Sequence, residues 1–454
     1  MRSLVDSSIE LRPRLGPTIL ASLWPIVVGI AFAVAMQLFV KPNINDYFAK
    51  QLLDIGISIV LAVSLTMVNG FTGQFSMGHA GFMAAGGYAA GAVCYYVSLR
   101  IWGTGGARGS ILSGMPLDPS GLPSFAVGDL LFLGSLLVGG LVSALLGFLV
   151  GLPSLRLRGD YLAIVTLGFG EIVRVLIQQT EPVIKTAAEA AQTPVLELPI
   201  HVGGALGFTG LPKYTSLFWA YLVAAITIIV AFRLKRSTFG RAFLSIREDE
   251  IASEVMGVNT TRFKVWAFVI AAFFAGVAGG LFAHTLGVGL SAEAAGFMKS
   301  FDVIIMVVLG GLGSISGATA AAIVFTLLPE VLRDPLATPA WIVVAILGVW
   351  ASLSGLAAWR SREGGAERPW VMKLALKLLI PGACVVAIYL AGKNGIDLSP
   401  YRMIFFALLL ILMMIFRPEG LLGVREIWER EAWSWLIGGR RKAVAASPPQ
   451  GGGS

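Results

Sequence analysis

Apolar runs of nearly 20 residues recur along this chain of 454 residues, and they constrain its fold more than any other feature. An α-helix needs about 20 residues to cross the hydrocarbon core of a bilayer. Apolar residues make up 56% of the chain and charged residues only 13%, a composition that soluble domains do not have. The sequence therefore predicts an all-α, polytopic membrane helix bundle. Because the runs continue from residue 19 to residue 416, we interpret the first as a membrane span rather than a signal peptide.

Twelve apolar segments are candidates for membrane helices. They are residues 19–40, 52–69, 79–98, 130–150, 161–178, 216–232, 264–284, 301–311, 317–332, 340–358, 371–391 and 402–416. The region 301–332 fits either two full spans or one re-entrant hairpin. Two of these segments, 340–358 and 371–391, lie within 335–400, and the other ten would form the core of the bundle.

The distribution of basic residues orients these segments. With a cytoplasmic N-terminus (residues 1–18), alternation places every strongly basic loop and the C-terminal residues 424–454 on the cytoplasmic side. The external loops, 99–129 and 179–215, are rich in Gly, Pro, Ser and Thr. The predicted organisation is thus a cytoplasmic N-terminus, a transmembrane domain at 19–423, and an interfacial helix followed by a disordered tail. This topology accounts for the net charge of +8, and no nucleic-acid-binding motif accompanies that charge.

A polar island interrupts the apolar pattern at residues 233–264. It holds seven basic and four acidic side chains in 32 residues. Within it, Arg241 to Met256 has the pattern of a short helix with an apolar stripe. The stripe consists of Leu244, Ile251, Ala252, Val255 and Met256. The island is either a docking element for a cytoplasmic partner or a solvated loop that connects two spans.

Two interior stretches, Asn69–Gly81 (the first break) and Leu309–Ala318 (the second break), disrupt the helix pattern with glycines. The two breaks align in sequence at an offset of 240 residues and form a weak internal repeat. In this alignment Gly70, Gly73 and Ser76 correspond to Gly310, Gly313 and Ser316. Paired glycine-interrupted segments are typical of transporters, whose substrate pathway they line. The alternative is close helix packing alone. The candidate pathway residues are Gly70, Gly73, Gln74, Ser76, Gly78, His79, Gly310, Gly311, Gly313 and Ser316.

Few ionisable residues lie inside the predicted spans. Glu171 and Arg174 are three residues apart in one segment, a spacing that predicts a structural ion pair. His79 is either a proton-relay residue or a neutral, hydrogen-bonded packing residue. No His or Cys has metal-ligand spacing to another candidate, so we expect no metal site.

The chain lacks the motifs of an enzyme. No GxxxxGK[ST] phosphate loop, GxSxG nucleophile elbow or HExxH zinc motif occurs in it. We therefore expect no catalytic residue and no cofactor in this chain, and any ATP hydrolysis must occur in another subunit.

Six stretches together resemble the LivM-type permease subunit of ABC importers for branched-chain amino acids. They lie at 70–82, 151–174, 203–212, 239–284, 306–317 and 416–423, so that the resemblance reaches across most of the chain from about residue 50 to 423. The longest reads FGRAFLSIREDEIASEVMGVNTTRFKVWAFVIAAFFAGVAGGLFAH. Two departures are the additional segments 340–358 and 371–391 and a lengthened external loop before Gly203.

The resemblance implies an assembly in the bacterial inner membrane with both termini of this chain in the cytoplasm. Its partners would be a second homologous permease subunit, two cytoplasmic ATPases that bind ATP and Mg²⁺, an external solute-binding protein and membrane lipid. The island would be the coupling loop, although Ile251 stands where the importer signature EAAxxxG has Glu. Its implied coupling residues are Gly240, Arg241, Arg247, Glu248, Asp249, Glu250, Glu254 and Gly257.

The leading hypothesis from the sequence is a permease subunit that imports branched-chain or other apolar amino acids. A close alternative keeps the architecture and changes the solute to urea, a short amide or an aromatic acid. A different mechanism is a proton-coupled secondary carrier with Glu171 or His79 as the relay. An integral membrane enzyme is the most remote alternative, because the chain has no nucleophile or metal constellation.

Overall fold

A computed structural model describes residues 15–103, 113, 127–154, 160–195, 197–285, 290–333, 411 and 426. The chain divides into two compact units, Met1–Val303 and Ile304–Ser454, which are described separately. In the described residues all regular structure is helical, and the one pairing of extended residues is an isolated bridge between Phe208 and Leu290.

The first unit contains ten complete helices in its described part. They are α1 (Leu15–Ala35), α2 (Asp46–Leu65), α3 (His79–Trp102), α4 (Val127–Ser154), α5 (Asp160–Gln178), α6 (Ala187–Gln192), α7 (Leu217–Arg236), α8 (Thr238–Glu248), α9 (Glu250–Val255) and α10 (Thr260–Ala283). Helix α11 (Phe297–Gly310) begins in the first unit and ends in the second, and α12 (Ile315–Arg333) belongs to the second.

Seven helices in the described part of the chain are long and apolar enough to cross a membrane. They are Trp24–Asn43, Asp46–Gly70, His79–Trp102, Val127–Leu152, Tyr161–Gln178, Leu217–Arg236 and Thr260–Ala283. They coincide with the first seven predicted segments, which confirms an all-α, polytopic membrane bundle. The predicted segments 301–311 and 317–332 correspond to α11 and α12, and whether these are two spans or a re-entrant hairpin stays open.

The remaining predictions about chain organisation fall largely on residues that the structure does not describe. The apolar segments 340–358, 371–391 and 402–416 lie outside the described residues except for Ile411, and so does the C-terminal region 424–454 except for Glu426. The total of twelve segments therefore stays a prediction.

Helices α3, α4 and α10 form the centre of the first unit and pack through glycines. A methyl group added at Gly86 of α3 would overlap the backbone of Gly276 in α10. One added at Gly139 of α4 would lie 2.5 Å from the Gly86 carbonyl oxygen. Membrane helices associate by such close backbone approach, since lipid supplies no hydrophobic force to bring them together. Many glycines of this chain therefore serve packing.

The C-terminal half of α3 holds the long loop 179–215 in place. The Tyr95 hydroxyl donates to the Ile184 carbonyl at 3.1 Å, and the Tyr96 hydroxyl donates to the His201 carbonyl. Two turns before Tyr95 and Tyr96, the Tyr88 hydroxyl donates to the Leu290 carbonyl at 2.8 Å. The loop is thus tied to the helix bundle by hydrogen bonds from buried tyrosines.

The polar island differs from its predicted form. The single helix predicted from Arg241 to Met256 is wrong, because the chain forms two helices, α8 and α9, that meet at Asp249. Asp249 is extended, with φ −155°, and its Oδ1 accepts hydrogen bonds from the amides of Ile251 (2.9 Å) and Ala252 (3.0 Å). Aspartate is a strong helix N-cap, so that it begins a new helix in the middle of the predicted one.

Candidate functional site

The first break separates α2 from α3. A π-helical turn at Thr66–Gly70 ends the second membrane helix, and α3 begins only at His79. Gly73 has φ +70°, a conformation that residues with a Cβ rarely adopt. The chain then stays non-helical, and the Asn69 side chain accepts a hydrogen bond from the Ser76 amide at 3.2 Å. The glycines predicted to interrupt the helix pattern do so here.

Polar side chains are buried in the first break without full hydrogen bonding. Gln74 and Ser76 are both buried, and Gln74 Oε1 accepts a hydrogen bond from the Thr72 hydroxyl at 3.4 Å. Among the described residues, Asn69 Nδ2 and the Ser76 hydroxyl have no hydrogen-bond partner. Buried polar atoms normally have a partner, so these two are available to water or to a polar group of a solute. Asn69 was not among the predicted pathway residues.

The C-terminal end of the first break is held by neighbouring helices. The Met77 amide donates to Thr166 Oγ1 of α5 at 3.0 Å. A methyl group at Gly78 would overlap the Thr166 carbonyl oxygen, so Gly78 is in close packing. His79 Nε2 and Ser64 Oγ of α2 lie 2.8 Å apart and share a hydrogen bond. The predicted pathway residues Gly78 and His79 therefore each contact a neighbouring helix.

Arg247 of the island contacts the other end of the first break. Its Nη1 donates to the Gly70 carbonyl oxygen at 2.8 Å. At Gly73, an added Cβ would lie 3.2 Å from Arg247 Cγ. The sequence suggested Arg247 as a contact for an ATPase, whereas the structure brings it to the break inside its own chain.

Most other predicted coupling residues stabilise the island itself. Glu250 forms an ion pair with Lys264 at 2.6 Å, and Glu254 accepts a hydrogen bond from the Thr260 hydroxyl at 2.6 Å. Together with the Asp249 cap, these contacts hold α9 against the start of α10. Gly240 packs against the carbonyls of residues 234 and 235, Gly257 turns the chain with φ +86°, and Arg241 and Glu248 are exposed.

An exposed apolar surface remains on α9 and the residue that follows it. Ile251 is 64% exposed, Val255 82% and Met256 83%. Large apolar side chains grouped in this way on a polar loop mark an interaction site more often than isolated ones do. We call these three residues the α9 apolar surface.

Comparison with known proteins assigns the chain to a family. The family described as "Branched-chain amino acid transport system / permease component" matches residues 47–353, which include the first break, the island and the second break. The chain belongs to this permease family. That match confirms the resemblance found in the sequence, and the family is one of transport permeases rather than enzymes.

Individual relatives of the permease agree with this assignment. The LivM permease protein of the high-affinity branched-chain amino acid transport system of Salmonella typhimurium is 36% identical over 61% of this chain and 62% of its own length. The Escherichia coli protein of the same name is 34% identical over 68% of each chain. The LivH permease protein of Escherichia coli is 33% identical over 24% of this chain and 34% of its own. The match thus covers somewhat less than two thirds of the Salmonella relative. No solved structure matches the permease.

The second break of the permease has its own charged partner. Gly310 ends α11 in close contact with Gly317 of α12, and the chain turns at Gly311 (φ +106°) and Gly313 (φ +99°). Glu426, only 1% exposed, accepts hydrogen bonds from the Ser316 hydroxyl (2.7 Å), the Ser316 amide (3.0 Å) and the Ile315 amide (3.1 Å). The predicted pathway residue Ser316 is therefore bound to a carboxylate of the same chain.

The predicted ion pair and two further histidines of the permease lie in α5, in the loop 179–215 and after α10. Arg174 Nε donates to Glu171 Oε2 at 2.7 Å on a partly exposed face of α5. His201 Nδ1 lies 3.2 Å from Glu181 in the loop 179–215. His284 follows α10, and its Nδ1–H donates to the Gly280 carbonyl at 2.8 Å.

Several residues of the site were not predicted from the sequence. Thr166 and Glu426 lie far along the chain from the break that each contacts, whereas Ser64 lies only 15 residues before His79. Nothing in their local sequence indicates these contacts. Asn69 was within reach of sequence reasoning, because a polar side chain that directly precedes the first glycine of a break is placed to bond the freed backbone.

Proposed function

We propose that this chain is a transmembrane permease subunit of an ATP-driven importer that passes branched-chain or other apolar amino acids. The observation that carries the proposal is its membership of the branched-chain amino acid permease family over residues 47–353. The chain would hold no ATP or Mg²⁺ itself. It would lie in the bacterial inner membrane as a multi-pass protein with cytoplasmic N- and C-termini.

The proposed assembly contains a second homologous permease, two cytoplasmic ATPases and an external solute-binding protein. The partial match to a LivH permease supports the homologous partner, since two related permeases share sequence with this chain. The ATPases supply the energy, and the binding protein does most of the selecting among solutes. Strong solute binding inside the permease would slow release of the solute. Weak contacts are therefore appropriate there.

We assign ATPase docking to the α9 apolar surface rather than to the island's acidic residues. Asp249 and Glu250 already hold the island together through the cap and the Lys264 ion pair. Ile251, Val255 and Met256 instead present apolar area to the cytoplasmic side of the predicted topology. Desolvated apolar anchors ringed by charge carry most of the free energy of a protein interface.

A single substitution tests this docking surface. Met256→Asp places a charge in the proposed interface and should lower the affinity for the ATPase by about ten-fold or more. Thr261→Asp is the matched control, because Thr261 is exposed in the first turn of α10, where a negative charge is tolerated. The measurement is the amount of ATPase that co-purifies with the permease pair. If equal amounts of ATPase co-purify with both variants, α9 is not part of the interface.

The first break is proposed to contribute polar contacts to the solute pathway. Asn69 Nδ2 and the Ser76 hydroxyl are buried and without a described partner, while Gln74 lies beside them in sequence. Such neutral groups can hydrogen-bond an amino acid's charged ends without supplying an opposite charge. The glycines and Ser316 of the second break stay predicted pathway residues.

Uptake into proteoliposomes tests the function as a whole. The vesicles contain this chain with its co-encoded permease, ATPases and binding protein, and receive leucine, phenylalanine, an aromatic acid or urea in parallel. We expect leucine uptake that requires ATP inside the vesicle. ATP-dependent uptake of only urea or an aromatic acid would show that this compound, and not an apolar amino acid, is the solute. Uptake driven by a pH gradient without ATP would replace the mechanism with a proton-coupled carrier.

A further inference from the structure

Arg247 of the island contacts the first break at two points. Its guanidinium donates to the Gly70 carbonyl oxygen at 2.8 Å, and its side chain runs beside Gly73, where an added Cβ would lie 3.2 Å from Arg247 Cγ. Arg247 belongs to the last turn of α8, two residues before Asp249. A displacement of α8 would therefore act on the break through this side chain.

The charge of Arg247 suits the backbone that it contacts. Gly70 is the last residue of the helical segment that starts at Asp46, so that its carbonyl lies at the partially negative end of a helix. An arginine binds such a carbonyl strongly, because its guanidinium stays charged and has several fixed donors. A second cation of the same region supports the contact, since Lys235 Nζ lies 5.9 Å from the centre of the Phe71 ring.

The first break is linked in turn to three further helices. Met77 bonds to Thr166 of α5, His79 to Ser64 of α2, and the Ala80 amide donates to Ser300 Oγ of α11 at 3.4 Å. The same break contains Asn69 and Ser76, whose Nδ2 and hydroxyl have no described partner. Movement at Gly70 and Gly73 would thus change the position of the polar atoms proposed to contact the solute.

We infer that Arg247 is a positioning residue that transmits movement of the island to the first break and thereby to the start of α3. The inference rests on the proposed function, because the movement originates in ATPase subunits docked on the α9 apolar surface. It gives the island two distinct parts. Helix α9 binds the partner, and the end of α8 acts on the membrane helices.

The test separates ATP hydrolysis from uptake in the reconstituted importer. Arg247→Met removes the guanidinium and keeps most of the side-chain volume. Arg241→Met is the matched control, since Arg241 is exposed on the same helix. We expect Arg247→Met to assemble and hydrolyse ATP but to lose about ten-fold in leucine taken up per ATP, the factor that loss of one hydrogen bond to a charged donor gives. Arg241→Met should match the wild type, and Arg247→Lys should recover part of the loss.

Three outcomes would overturn the inference. In the first, Arg247→Met keeps the wild-type uptake per ATP. In the second, ATP hydrolysis and uptake fall in the same proportion, as a purely structural role would give. In the third, neither Arg247→Met nor Arg247→Lys assembles. A failure of the proposed function is distinguishable, because the wild-type complex would then show no ATP-dependent uptake.

Discussion

The two glycine breaks begin alike and then diverge. Gly70 and Gly310 both end a helix, and the glycines three positions later, Gly73 and Gly313, both have positive φ. Within the first break α3 starts at His79, whereas within the second α12 starts at Ile315. As a consequence Ser76 lies in non-helical chain, while its repeat equivalent Ser316 lies in the first turn of a helix.

The charged partners of the breaks are opposite in sign. Arg247 binds the carbonyl at the end of a helix in the first break, and Glu426 binds the amides at the start of a helix in the second. Each charge matches the helix end that it contacts. The comparison teaches that glycine spacing determines where a helix stops, while the groups that then bond the free backbone come from distant parts of the chain.

The breaks also differ in how completely their polar groups are bonded. In the second break, the Ser316 hydroxyl and two amides share the Glu426 carboxylate. In the first, Asn69 Nδ2 and the Ser76 hydroxyl have no partner among the described residues. We therefore expect loss of a polar side chain in the second break to reduce stability and loss of one in the first to reduce transport.

The largest effect is expected from a bulky residue at the turn of the first break. Gly73→Leu forces a β-carbon into positive φ, at a cost of about 1–2 kcal/mol, and crowds Arg247. Leucine uptake should be abolished while the protein remains in the membrane. Gly313→Leu has the same strain and should also block uptake. Gly134→Leu is the control, because an added Cβ at Gly134 of α4 meets no atom within 4 Å. Normal uptake by both break variants would mean that neither turn matters to transport.

A second large effect is expected at Glu426, this time on stability. Glu426→Ala leaves two amides and a serine hydroxyl without their buried acceptor, which should lower the free energy of unfolding by about 3 kcal/mol. Glu426→Gln keeps a neutral acceptor and should lose less. Thermal unfolding in detergent measures both, with the exposed Glu293→Ala as control. An unchanged unfolding temperature for Glu426→Ala would show that the carboxylate does not hold the second break.

The smallest effects should distinguish the two equivalent serines. Ser316→Ala removes a hydrogen bond to a carboxylate and should cost about 2 kcal/mol of stability. Ser76→Ala removes a hydroxyl that has no described partner, so that stability should be unchanged. Leucine uptake should instead fall with Ser76→Ala if the hydroxyl contacts the solute. A stability loss of similar size in both variants would show that the two breaks do not differ in how completely their polar groups are bonded.

Part of this site was predictable from local sequence. Gly73 and Gly313 were expected to interrupt helices, because glycine adopts positive φ without steric cost. The spacing of Glu171 and Arg174 led to the expectation of a pair, and the two side chains lie 2.7 Å apart. The helix predicted across Asp249 was wrong, since the periodicity of apolar residues was given more weight than the capping preference of aspartate.

The sequence by itself determined the membrane class, the positions of seven spans and the glycines at which helices end. These features depend on residues that are close in the chain, namely the length of an apolar run and the conformational freedom of glycine. Tertiary structure alone decided which side chains bond the opened backbone, because Arg247 lies 177 residues from Gly70 and Glu426 lies 110 residues from Ser316. A buried backbone amide or carbonyl requires a partner, but any donor or acceptor that folding brings near can supply it.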